Sequence, residues 1–133
     1  MNDQQIEQEI QAKRLTAPRV TPADIEANIA SEHYFTAIDG VAGSLWGSTD
    51  NDAEVIAARD AAPSSLWLLT FCVLTLKNGF TVTGESACVS EENFDAELGR
   101  RIARQNAVAK MWPLMGYALR DRLHNISSGA KQA

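Results

Sequence analysis

The spacing of apolar residues along the chain changes period several times, and each change marks an element. Asn2–Arg14 is rich in Gln and Glu, with Ile6 and Ile10 as a thin stripe. That pattern predicts a polar N-terminal helix, either frayed or docked on a partner. Residues 16–20, TAPRV, read as a linker. TPADIEANIASEHYF then opens with Thr21 as N-cap and Pro22 at the first helical position, and Asp24 suits the positive end of the dipole. Ile25, Ile29 and His33 recur every four residues, which predicts a helix ending near residues 34–36. Residues 37–53 hold three glycines and several turn formers and read as a loop. Residues 53–61 read as a short helix that stops before Pro63.

The period then shortens. Residues 66–76 form the strongest strand, apolar on both faces, which suits a central or doubly covered position. Lys77-Asn78-Gly79-Phe80 follows, and Asn-Gly between strands indicates a two-residue type I′ hairpin. That turn sets Lys77 opposite Phe80, Thr75 opposite Val82, Val73 opposite Gly84, Cys72 opposite Glu85 and Phe71 opposite Ser86. One face then carries Phe71, Val73, Thr75, Phe80 and Val82; the other carries Cys72, Leu74, Leu76, Thr81 and Thr83. Cys88 falls opposite Leu69, away from Cys72 and on the other face, so no intrachain disulfide is expected. Gly84-Glu85-Ser86 interrupts the second arm, and strands use these residues sparingly.

From Ser90 the helical period returns. Ser90 is the expected cap, with Glu91, Glu92 and Asp95 in the first turns. Phe94, Leu98 and Ile102 share one face; Ala96, Gly99, Ala103 and Ala107 form a second stripe of small residues that lets another backbone come close. Pro113 removes a helical hydrogen bond, yet Met115, Leu119 and Leu123 resume the spacing. A kinked helix or two abutting helices follow from this, with 127–133 as a frayed tail. The expected fold is α+β, a single domain over 1–133. A β-hairpin or small antiparallel sheet packs against a long kinked C-terminal helix and N-terminal helices, with residues 1–20 a polar helix and linker.

Charge refines the picture. The net charge is −5, but residues 1–65 carry 11 acids and 4 bases, whereas residues 66–133 carry 6 acids and 8 bases. The acidic half argues against general nucleic-acid binding, while the second half could hold a local anion site. No apolar run is long enough to span a bilayer and no secretory signal is visible, so a cytoplasmic protein without a membrane partner is expected. Cys72, Cys88, His33 and His124 have no metal-ligand spacing, and neither metal nor cofactor is expected.

Four features could carry chemistry. Glu85 and Ser86 could act as base and nucleophile, but TGES is not a Gly-x-Ser-x-Gly elbow, and no histidine is placed to support it. The competing reading is packing: Gly84 permits a bulge or a close approach by a helix, and Glu85 meets an arginine or a ligand held by one. Arg100, Arg101, Arg104 and Lys110 form a basic ridge that could hold a phosphate, pair with the acidic half, or form ion pairs between subunits. Trp112 and Tyr117 could stack a base, or be core. Trp46, among the glycines of 37–53, could close over a ligand, anchor a partner or fold back onto the domain.

NGFTVTGESAC, NFDAELG and NAVAKMWPLMGYAL, together with APRVTPADIEANIASEHYF, give the chain a resemblance over about residues 16–124. It resembles the small tailed-phage proteins of the gp forty-nine / gene sixty-six family, least closely in 37–62. The resemblance implies a phage or prophage accessory protein in the bacterial cytoplasm. It brings no catalytic residues to carry over. By analogy with such proteins, the expectation is a non-catalytic binder that counters host defence by sequestering an anionic, nucleotide-type signal. Its ligand would meet Arg100, Arg101, Arg104, Lys110, Glu85, Ser86, Trp112 and Tyr117. Inhibition of a host protein through Trp46 and the N-terminal helix is the alternative, and a nucleotide hydrolase is the weaker third. The small-residue stripe and an open hairpin edge favour a homo-oligomer.

Overall fold

The computed structural model describes residues 2–132. Helix α1 (Asp3–Ala12) and the short α2 (Pro22–Ala27) precede strand β1 (Ile29–Thr36). Helices α3 (Ala37–Trp46) and α4 (Asp52–Ala61) and a 3-10 turn at Ser64–Leu68 lead to β2 (Leu69–Leu76) and β3 (Thr81–Ala87). A second 3-10 turn at Glu91–Asn93 leads to α5 (Ala96–Gln132). The three strands form one antiparallel sheet in the order β1-β2-β3, with α5 packed across one face. The α+β class and the long C-terminal helix are as the sequence predicts, and the apolar strand is central.

The helix read over 21–36 is half helix and half strand. Thr21 is the N-cap, as expected, and forms a capping box with Asp24, but α2 ends at Ala27. The next residues include Ile29, Tyr34, Phe35 and Thr36, whose branched and aromatic side chains suit a pleated surface. Asn28 fixes the switch: its backbone carbonyl and its Oδ1 both accept from the Lys77 N–H, at 3.0 and 3.3 Å. That partner is 49 residues away, so no local period reports it.

Residues 37–46, read as a loop, are helix α3. Thr36 starts it with another capping box: Thr36 Oγ1 accepts from the Asp39 N–H at 3.3 Å, and Asp39 Oδ2 accepts from the Thr36 N–H at 3.0 Å. Ile38 is fully buried, which outweighs the glycine penalty, and Gly47 is simply the C-cap. Helix α4 lies where the sequence puts it.

The hairpin register is one residue off the expected one. Thr75 faces Thr81, Leu74 faces Val82, Cys72 faces Gly84, Phe71 faces Glu85 and Thr70 faces Ser86. The cause is the turn. Gly79 alone of the turn residues has positive φ, at 89°, whereas type I′ needs it at Asn78 as well. The Gly79 N–H bonds the Leu76 carbonyl and the Leu76 N–H bonds the Phe80 carbonyl, so Lys77-Asn78-Gly79 is a three-residue loop with a glycine bulge. A shift of one exchanges the faces of β3. Val82 and Gly84 therefore join Cys72, Leu74 and Leu76 beneath α5, and Thr83 and Glu85 face away.

Helix α5 starts later than expected. Ser90 makes no side-chain cap; Asp95 does, its Oδ1 accepting from the Leu98 N–H at 3.0 Å. The helix runs through Pro113 as one element, and the segment from Ser127, read as a tail, is helical as far as Gln132. Met1 and Ala133, the outermost residues of the two expected terminal segments, lie outside the described residues. The face turned to the sheet is the small stripe, not the bulky one. Ala103, Ala107 and Met111 have no exposed surface, whereas Leu98 and Ile102 are exposed. A Cβ built on Gly84 would overlap the Ala103 carbonyl oxygen and the Ala107 nitrogen, and one on Gly99 would lie 3.2 Å from Thr70 Oγ1. The stripe is thus filled by the chain's own sheet and lends no support to self-association.

Both cysteines are free. Cys72 is buried, and Cys88, whose N–H bonds the Leu68 carbonyl, lies beyond the end of β3.

Candidate functional site

The basic ridge does not converge on one place. Arg104 reaches to β1 and α2. Its Nη1 and Nη2 fork onto the two carboxylate oxygens of Glu26 at 3.0 and 2.7 Å, and its Nε donates to Glu32 Oε1 at 2.9 Å. Tyr34 adds an O–H bond to the same Glu32 oxygen at 2.7 Å. Hydrogen bonding by Arg104, then by Tyr34, holds the Glu32 carboxyl below the usual range. Burial, then the bond to Glu32, pushes the Tyr34 phenol up, and burial does the same to the Cys72 thiol next to it. Arg104 therefore joins α5 to the acidic half within the chain.

Two residues on, α5 turns to the opposite edge: Asn106 Nδ2 donates to the Glu85 carbonyl at 2.7 Å. Lys110, one turn beyond Asn106, shares that β3 flank, and Arg100, one turn before Arg104, shares the β1 flank. Arg100, Arg101 and Lys110 are exposed and make no ion pair among the described residues.

Glu85 and Ser86 point to opposite faces of β3, as successive strand residues must. Ser86 is half-buried on the α5 side, opposite Thr70, and Glu85 is exposed on the other side, opposite Phe71. A base–nucleophile pair is ruled out by that geometry. Among the described residues no ion pair reaches the Glu85 carboxylate; its contact with α5 is made by the backbone carbonyl. On Glu85's face Phe35 and Phe71 stack, with centroids 5.5 Å apart.

Trp112 is half-buried, and its Nε1–H bonds Asp3 Oδ2 at 3.0 Å. Together with the fork of Arg19 onto Glu7, at 2.6 Å for each bond, this docks α1 on its own chain. Tyr117 is exposed on the outer part of α5, and Trp46 is 62% exposed at the end of α3.

The structure also gathers residues that no spacing in the sequence brings together. An open cavity of about 470 Å³ lies where α2, the hairpin turn and α5 meet. Arg19, Asp24, Asn28, Lys77, Asn78 and Arg122 supply its polar groups, and Val20, Met115 and Leu119 are among its apolar ones. These residues come from segments spread over more than a hundred positions. The one usable signal was that Met115 and Leu119 kept a helical stripe beyond Pro113.

Among the described residues, no cluster of three or more His, Cys, Asp or Glu is placed to hold a metal ion. No helix among them is long and apolar enough to cross a membrane. Comparison with known families matches residues 20–123 to the one described as Phage protein (N4 Gp49/phage Sf6 gene 66). No curated protein and no solved structure matches the chain.

Proposed function

The chain belongs to the N4 Gp49/Sf6 gene 66 family of phage proteins, and from that premise we propose a non-catalytic accessory protein that acts by binding an anionic, nucleotide-type ligand. In an infected cell, sequestering such a ligand would blunt a host defence signal. One observation carries the reading: cations of the second half of the chain stand free on the surface of an acidic protein. Lys77, Arg100, Arg101, Lys110, Arg120 and Arg122 are exposed and unpaired among the described residues, whereas Arg104 is engaged twice. Free guanidinium and ammonium groups offer only donors, which suits phosphate oxygens. Isothermal titration of the full chain against linear and cyclic nucleotides tests this. Saturable heat that falls with added salt is the expected result, and silence across the panel removes the ligand reading.

A second reading rests on Trp46. With Ile56 also 56% exposed, α3 and α4 present apolar anchors of the kind that seat a protein partner. Inhibition of a host factor by this surface would be lost in Trp46→Ala with folding intact, and an unchanged inhibition would dismiss it.

A further inference from the structure

We propose that the cavity between α2, the hairpin turn and α5 is a nucleoside phosphate site, with Lys77 and Arg122 as its phosphate-binding groups. The inference rests on the reading above that the ligand is anionic, and adds where it sits and what holds it.

The argument is an inventory of donors and acceptors. Arg19, Lys77 and Arg122 line the cavity with one carboxylate, Asp24, and because Glu7 pairs with Arg19 the cations left to a ligand are Lys77 and Arg122. Asp24 is partly committed: its Oδ2 accepts from the Thr21 N–H at 2.9 Å in the α2 capping box, while the carboxylate keeps its charge. Two neutral side chains remain, and each amide oxygen already accepts one bond. Asn28 Oδ1 accepts from the Lys77 N–H at 3.3 Å, and Asn78 Oδ1 accepts from the Phe80 N–H at 2.9 Å. Each amide keeps its NH2 group, which donates only, and one lone pair on its oxygen. The unpaired groups of Lys77, Arg122 and the two amides are thus mainly donors, which suits phosphate oxygens.

The cations are not equivalent. Arg19 spends Nη1 and Nη2 on Glu7, which offsets its charge, so it adds little to the hold on an anion. Lys77 and Arg122 are exposed and have no carboxylate partner among the described residues. They stand on the hairpin turn and on α5, facing one opening from two elements. The rest of the lining is apolar: Val20, Ala27, Met115, Ala118 and Leu119. Methionine and leucine walls accept a flat base without asking for particular hydrogen bonds. The volume falls in the range of small-molecule sites.

The test is titration calorimetry of the full chain with ATP and with inorganic pyrophosphate, for wild type, K77Q/R122Q and K77R/R122K. The expected result is ATP binding at least about tenfold tighter than pyrophosphate, since only ATP uses the apolar wall. K77Q/R122Q should weaken ATP about tenfold or more at unchanged Tm, and K77R/R122K should restore it. ATP binding that is unchanged in K77Q/R122Q overturns this site but leaves the anionic-ligand reading standing. Equal affinity for ATP and pyrophosphate overturns the nucleoside assignment. Absence of binding by wild type to either probe overturns the site, and the nucleotide panel then decides whether the broader reading falls with it.

Discussion

Gly84 and Ala103 touch through their backbones: where any other residue would carry a Cβ, Gly84 meets the Ala103 carbonyl oxygen, with the Ala107 Cα 3.0 Å away. Both contacts are backbone, so neither can rotate aside. Gly84→Ala should destabilise the fold by about 3 kcal/mol or more, because relief requires the helix to lift off the sheet. For a chain of this size that is a drop in Tm of roughly 10 °C. A thermal melt within about 2 °C of wild type would refute the close packing.

The hairpin turn makes a separate claim. In the three-residue loop, left-handed backbone falls on Gly79 alone. Gly79→Ala should cost about 1 kcal/mol, the penalty for a side chain in that region. Asn78→Gly, which favours a type I′ turn, should bring no gain, since Asn78 is not left-handed and loses its bond to the Phe80 N–H. Denaturant titration of both variants checks this; a stabilised Asn78→Gly would restore the two-residue turn.

Arg104 ties stability to acid. Glu32 has a lowered pKa in the folded chain, so the unfolded chain takes up its proton first as pH falls. Its contribution is whole above the ordinary carboxylate value of 4.5 and is lost as pH drops through the folded value below it. Arg104→Met should flatten the decline in stability between roughly pH 5 and pH 3. At neutral pH it should cost about 1 kcal/mol, because these side chains are 28 to 57% exposed and water screens them. Urea midpoints of the two proteins across that range provide the measurement, and parallel pH profiles would contradict the linkage.

The thiols should behave unequally. Cys72 has no exposed surface and its pKa is raised by burial, so little thiolate is present or reachable. Cys88 is half-buried at the end of β3, with Sγ 3.1 Å from the Ser90 carbonyl. Alkylation of the native chain should modify Cys88 first, with Cys72 reacting only on unfolding. Peptide mass analysis at timed intervals gives the order, and early modification of Cys72 would argue against its place in the core.

Local signals were legible in the sequence and distant ones were not. Thr21-Pro22 announces α2, the apolar run announces β2, and the Ala103–Ala107 stripe announces a close backbone. The same residues do not say where α2 stops, because Asn28 is held by Lys77 across the sheet. Thr36 reads as the end of the preceding helix, although Thr-x-x-Asp is a capping box in plain view. The register failed at a single torsion: Asn-Gly fits two turns, and the choice between them exchanges every side chain of β3. Within the candidate site, the free cations were visible one by one. Which of them meet depends on the hairpin turn lying beside α5, and no spacing encodes that.

The route from β1 to β2 has a consequence for the order in which the chain folds. The two strands are neighbours, yet residues 37–68 intervene, whereas β2 and β3 are closed by three residues. Closure entropy grows with the length of the loop, so the hairpin nucleates cheaply and β1 arrives late. Substitutions in the hairpin should then slow folding, while those in β1 mainly speed unfolding. The strand that carries Glu32 and Tyr34 should then be the last part of the sheet to assemble, with Arg104 as the bolt thrown after the door has closed.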